Sequence, residues 1–250
     1  MQRFTKSIAA IMLMTAVCIV VGCTKTDDPS NGGNNNGGNG GNTYNGHEYV
    51  DLGLPSGTLW ATCNVGAATP EGYGDYFAWG ETTPKTTYNW STYKYCNGDW
   101  AFNQLTKYCY NSSYGYNGFT DNLIILQPID DAAMANWGNG WCMPTKEQWQ
   151  ELRDNTTRTW TTQNGVNGRL FTANNGRSLF LPASGFRYDS SLNNNGNDGH
   201  YWSSSLGSDY SGVAWNLYFN STNNNGVVTN FSNYGSRRDY GFTVRAVREN

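Results

Sequence analysis

Apolar and polar positions divide this chain into three successive patterns. The first is an unbroken apolar run of 14 residues, "IAAIMLMTAVCIVV" (Ile8–Val21), preceded by Arg3 and Lys6. A membrane-spanning helix needs about 20 apolar residues, so a shorter run after a basic start predicts a cleaved secretory signal. The second is "SNGGNNNGGNGGNTYNG" (Ser30–Gly46), almost entirely Asn and Gly and without apolar period. Such a segment buries too little surface to offset its ordering entropy and reads as a flexible tether. The third starts at His47 and continues to Asn250, with short apolar stretches broken by turn residues.

Within that third region the periods predict a strand, two helices and then more strands. "TLWATC" reads as a short strand after the Pro55-Ser56-Gly57 turn signal. "DDAAMANWG" predicts a helix with Asp130 and Asp131 at its N-terminus and a stop at Gly138. "PTKEQWQELRDN" predicts a second, with Thr145 and Gln148 spaced as a capping box and Trp149 and Leu152 on one face. "SLFLPAS" (Ser178–Ser184), "YWSSS", "AWNLYFN" (Ala214–Asn220) and "GFTVRAV" (Gly241–Val247) read as strands. Tyr188–His200 reads as a loop projected between them, with Tyr201–Ser205 as the strand that holds it.

Composition narrows the class. Charged residues make up 14% of the chain and aromatics 15%, against about 25% charged in average proteins. This suits an exported domain rich in strands and loops. Removing Arg3 and Lys6 with the signal leaves fourteen basic and nineteen acidic residues, a net charge of −5. No basic stripe is present, which argues against nucleic acid as a partner.

The end of the signal adds an anchor. "VVGC" (Val20–Cys23) resembles the bacterial lipobox, which implies that residues 1–22 are removed and Cys23 is lipidated. Residues 23–46 then form a lipidated tether. The following "TKTDDPS" is similar to an export signal of surface lipoproteins. An outer-membrane lipoprotein is expected, facing the cell exterior, with the periplasmic face as the alternative. Membrane attachment runs through Cys23. Cys63, Cys96, Cys109 and Cys142 remain in the domain, and Cys96 with Cys109 makes a candidate local disulfide. No C-x-x-C pair occurs, and His47 and His200 are the only histidines. Neither a metal site nor a cofactor is expected.

The stretches "VDLGLPSGTLWATCNVGA", "GDYFAWGET", "DDAAMANWGNGWCMPT", "FLPASGFRY", "GHYWSSS" and "GFTVRAV" resemble the Fibrobacter succinogenes major paralogous domain over residues 47–250. The resemblance implies an α+β class and a C-type lectin-like fold, related to the formylglycine-generating enzyme group. In it two helices pack on a small twisted antiparallel sheet with long loops. The chain departs from the family pattern at Cys142, where Arg is common before "MPT".

Chemistry is harder to place than architecture. No cysteine lies beyond Cys142, which removes the thiol pair of a formylglycine-type oxidase. Asp198, His200 and Ser203 lie close together, but no G-x-S-x-G elbow accompanies them. No catalytic residue is assigned and a non-enzymatic role is expected. Between Tyr188 and Tyr240 the chain holds eleven Asn mixed with Tyr, Asp, Ser and His. That palette suits a contact surface in which Tyr supplies rigid area and Asn and Ser supply adaptable hydrogen bonds. It also suits diversification by a retroelement that recodes Asn. The expected ligand-binding residues are Tyr188, Asp189, Asn193, Asn195, His200, Tyr210, Asn216, Asn223, Asn233, Tyr234, Arg237, Asp239 and Tyr240, facing a protein or glycan ligand. The alternatives are a non-binding surface or assembly component and an exported enzyme.

Overall fold

The computed structural model describes residues 42–98, 103–208, 210–222, 227–229 and 237–250. Pairing begins inside the stretch whose composition reads as tether. Strand β1 (Asn42–Tyr44) folds back on β2 (His47–Asp51) through Asn45-Gly46. Both turn residues have positive φ, +46° and +77°, as tight primed hairpin turns require. β3 (Leu59–Asn64) follows, and β12 (Arg245–Arg248) completes this sheet in the order β1-β2-β3-β12. Trp60 on β3 lies opposite Val247 on β12.

The two helices form where their end signals stand. Helix α1 (Ala132–Trp137) is capped by the Asp131 carboxylate, which accepts from the Ala133 and Met134 amides, and it stops at Gly138. Helix α2 (Lys146–Asp154) carries the full Thr145–Gln148 capping box and buries Trp149 and Leu152. Asp130 does not cap. It ends a 3-10 turn (Pro128–Asp130) and accepts from the Tyr95 and Tyr108 hydroxyls and the Lys94 and Lys107 ammonium groups.

Downstream of α2 the chain is almost all strand. β4 (Thr156–Gln163) and β5 (Val166–Ala173) are eight residues each and turn at Asn164-Gly165, φ +49° and +83°. β6 (Ser178–Pro182) pairs with β5. β7 (Phe186–Tyr188) and β8 (Ser191–Asn193) form a small hairpin. β9 (Asp198–Leu206), β10 (Ala214–Asn220) and β11 (Val227–Thr229) make the last sheet, with β10 in the middle.

These observations overturn the expected class of two helices packed on one small sheet. The described residues form twelve strands in four separate antiparallel sheets and only two short helices. α2 lies against β4, β9, β10 and β11, whereas α1 makes its main contacts with the 3-10 turn before it. The physical reason lies in "TTRTWTTQNGVNGRLFTA". Its β-branched residues flank an Asn-Gly pair, and that combination specifies a long hairpin. The projected loop is likewise shorter than expected. Most of Tyr188–His200 is the β7–β8 hairpin and the start of β9.

β9 is buried on both faces and partitions the core. Trp202 joins a cluster with Phe77, Trp79, Trp141 and Phe242, and its ring stacks on Phe242 at 4.0 Å. The adjacent Tyr201 points the other way, as neighbours on a strand must. It joins Trp60, Trp149, Leu217 and Phe219. Arg245 on β12 has no carboxylate beside it among the described residues. Instead it is fully buried and donates to Asn64 Oδ1, Ala61 O and Thr62 O.

Candidate functional site

The β7–β8 hairpin is fastened at two points on its β7 side. Tyr88 and Asp189 exchange backbone hydrogen bonds at 2.9 and 2.9 Å, and Arg187 and Gly241 do so at 2.8 and 2.9 Å. Gly241 is required by this closeness. A Cβ there would lie 2.6 Å from the Tyr88 ring. The Asn89 side chain adds a 2.8 Å hydrogen bond to Asp189 Oδ1 and also caps the 3-10 turn Trp90–Thr92. Three chain segments distant in sequence are thereby held side by side, and Tyr188 rises between the two fastenings.

On that frame the aromatic side chains gather around Arg237. Its guanidinium carbon lies 4.8 Å from the Tyr240 ring centre, 5.6 Å from Trp90 and 5.7 Å from Tyr188. Tyr188 and Tyr240 are 5.0 Å apart, and Phe186 stacks beneath Tyr240 at 5.6 Å. Arg237 donates from Nε to Asp239 Oδ1 at 3.0 Å and from Nη2 to Oδ2 at 2.7 Å. Asp239 is fully buried while Arg237 is half-buried. Burial pushes the Asp239 carboxyl above its ordinary value, and Arg237 offsets part of that rise. Burial opposes the charge on Arg237, and the Asp239 hydrogen bonds outweigh it, so the guanidinium stays cationic. Tyr210 lies close enough for the Arg237 charge to bear on its hydroxyl, and its ring meets Tyr114 at 5.6 Å. The arrangement offers exposed and half-buried tyrosine faces around a fixed cation, a surface suited to stacking and hydrogen bonding.

Of the expected binding residues, Tyr188, Asp189, Tyr210, Arg237, Asp239 and Tyr240 are brought to this one region. Asp239 serves it from below, because its carboxylate is spent on Arg237. Asn193 closes β8 and Asn195 lies exposed in the turn that follows. Asn216 is wholly buried and donates to Thr229 O at 3.1 Å, so it supports the last sheet and does not face a ligand. Asn223, Asn233, Tyr234 and Cys23 lie outside the described residues. Trp90 and Phe186 are part of the cluster and were missed. The Asn89-x-x-Thr92 capping spacing was the available signal for the first.

His200 is also not at the surface. Its ring is 2% exposed and packs 4.8 Å from Phe242, 4.9 Å from Tyr218 and 5.1 Å from Phe186. Among the described residues neither ring nitrogen has a hydrogen-bond partner, and burial pushes its pKa down to about 3. Asp198 and Ser203 therefore make no relay with it; Ser203 Oγ donates to Trp215 O at 2.9 Å. Nor do Cys96 and Cys109 join. Cys96 is paired by its backbone opposite Leu105, and Cys109 falls four positions beyond that partner, with its thiol 3.1 Å from Asn111 O. Among the described residues no group of three or more His, Cys, Asp or Glu converges as a metal site.

No protein-family model, curated protein or solved structure matches this chain. The resemblance to the paralogous-domain family rests on the sequence motifs alone.

Proposed function

We propose that the chain is a lipid-anchored binding module displayed at the cell surface, taking a protein or glycan ligand on the rim formed by Tyr188, Tyr240 and Arg237. The observation that carries this reading is the Arg237 cluster. Aromatic faces are gathered around one cation, and a buried carboxylate and a fastened hairpin fix the group in place. Fixed aromatic groups lose little entropy on binding. The anchor and tether are read from the sequence, and the eleven Asn between Tyr188 and Tyr240 are what supports retroelement diversification.

The test is a glycan array and a defined-partner binding screen run with the full chain and with a Tyr188→Ala/Tyr240→Ala variant. The expected result is a ligand held by the wild-type chain and bound at least tenfold more weakly by the variant. Ligands that bind both proteins equally would show that the rim is not the contact surface.

A further inference from the structure

β7 presents alternate residues to opposite faces. Tyr188 faces the Arg237 cluster, and its neighbour Arg187 faces a separate cleft of about 420 Å³. This volume falls in the lower part of the range for small-molecule sites. Its walls include Asp75, Lys85, Thr86, Arg187 and Ser190, over a floor that includes Tyr76. The Arg187 guanidinium lies 5.1 Å from the centre of the Tyr76 ring. The Tyr76 hydroxyl is spent on Ser184 O, which pins that ring in place. Lys85 is already committed to Glu81, 2.8 Å away. Arg187, by contrast, has no carboxylate partner among the described residues. It is a stacked, oriented fork of donors facing an open cleft.

The chemistry of the walls selects a ligand class. A guanidinium fork matches a carboxylate bidentately. Asp75 accepts from hydroxyl groups, and Thr86 and Ser190 both donate and accept. Pro84 and the Tyr76 and Tyr88 rings add an apolar wall on which the carbon face of a sugar ring can lie. A ligand with one carboxylate and several hydroxyls satisfies all of these groups together. We infer that this cleft binds an acidic sugar residue, its carboxylate on Arg187 and its hydroxyls on Asp75, Thr86 and Ser190. The inference deepens the binding-module reading and rests on it for the glycan context, but it uses the opposite face of the hairpin.

The experiment is saturation-transfer NMR and calorimetric titration of the full chain in detergent, with glucuronic acid, glucose and acetate as probes. Glucuronic acid is expected to bind at least tenfold more tightly than glucose or acetate. Arg187→Ala is expected to abolish that preference, and Arg187→Lys to restore only part of it. Tyr188→Ala/Tyr240→Ala is expected to leave it unchanged, which separates this site from the rim. Equal binding of glucose, equal binding of acetate, or an unaltered preference in a folded Arg187→Ala protein would each overturn the inference. Failure of the rim in the array experiment, with glucuronic acid still held by Arg187, would remove the rim reading and leave this one standing.

Discussion

Arg237 and Asp239, two residues apart, are joined by a two-pronged hydrogen bond of 3.0 and 2.7 Å while differing sharply in exposure. The carboxylate is fully buried and the guanidinium is half-buried. The two partners should therefore not be equivalent on mutation. Asp239→Ala leaves a cation that reaches water and should cost about 1–2 kcal/mol. Arg237→Ala leaves a buried carboxylate without its donor and should cost about 3 kcal/mol at neutral pH. That carboxyl would titrate higher still, so the Arg237→Ala defect should shrink as pH falls. Urea denaturation of both variants at pH 4.5 and 7.5 checks the asymmetry and its sign.

Two buried groups should pull the pH dependence of stability in opposite directions. Burial lowers the His200 pKa from 6.5 to about 3. The unfolded chain then takes up a proton that the native state refuses, and stability falls as pH drops from about 6.5 towards 3. Burial raises the Asp131 pKa from 3.8 to about 6. The native state there holds the extra proton, and stability falls as pH rises from about 4 to 6. Each slope is about 1.4 kcal/mol per pH unit at most, so between pH 4 and 6 they offset. His200→Phe should expose the Asp131 slope and make the protein more stable at pH 4.5 than at pH 6. Because neither His200 nitrogen is hydrogen-bonded among the described residues, this substitution should also cost little at pH 7. Thermal denaturation across pH 4–8 measures both effects.

Gly165 and Gly241 are expected to fail for different reasons. Gly165 sits at φ +83° with open space where a Cβ would go. Gly165→Ala carries only backbone strain, about 1–2 kcal/mol, and should leave ligand binding intact. At Gly241 the added methyl would meet the Tyr88 ring at 2.6 Å. Gly241→Ala should cost about 1–3 kcal/mol through displaced packing and should also loosen the fastened hairpin under Tyr188. Comparing melting temperature with ligand affinity for the two variants separates strain from displacement.

Tyr188 is 37% exposed, whereas Trp202 is fully buried on β9. Tyr188→Ala should change stability by no more than about 0.5 kcal/mol while weakening the proposed rim. Trp202→Ala should cost about 3–5 kcal/mol through the cavity it leaves. Chemical denaturation, paired with the binding assay, tests whether exposure divides the aromatics into rim and core.

Legibility in the sequence followed locality. Both helices were readable because their signals are short range: the Thr145–Gln148 box, the Asp131 cap and Gly138. "AWNLYFN" was readable because its span is a single uninterrupted strand. The β4–β5 hairpin has a local signal at Asn164-Gly165, and its two eight-residue strands shift the class towards mostly β. The site was half legible. Tyr188, Arg237 and Tyr240 stood out by type, yet their meeting with Trp90 depends on backbone pairing between residues about 100 positions apart, which no local pattern encodes. His200 and Asn216 look like surface residues by composition. Their burial follows from their places on strands β9 and β10, where neighbouring strands and aromatic rings cover them.

The sheet order β1-β2-β3-β12 also joins the two ends of the domain. β3 is finished by residue 64, but its outer hydrogen-bonding edge stays open until residues 245–248 have been synthesised. An N-terminal fragment carrying β1–β3 therefore holds an unsatisfied, tryptophan-bearing edge, the kind that invites pairing with another chain. Covering that edge falls to Arg245–Arg248, so protection of the first sheet against pairing with another chain is vested in a segment about 180 residues away.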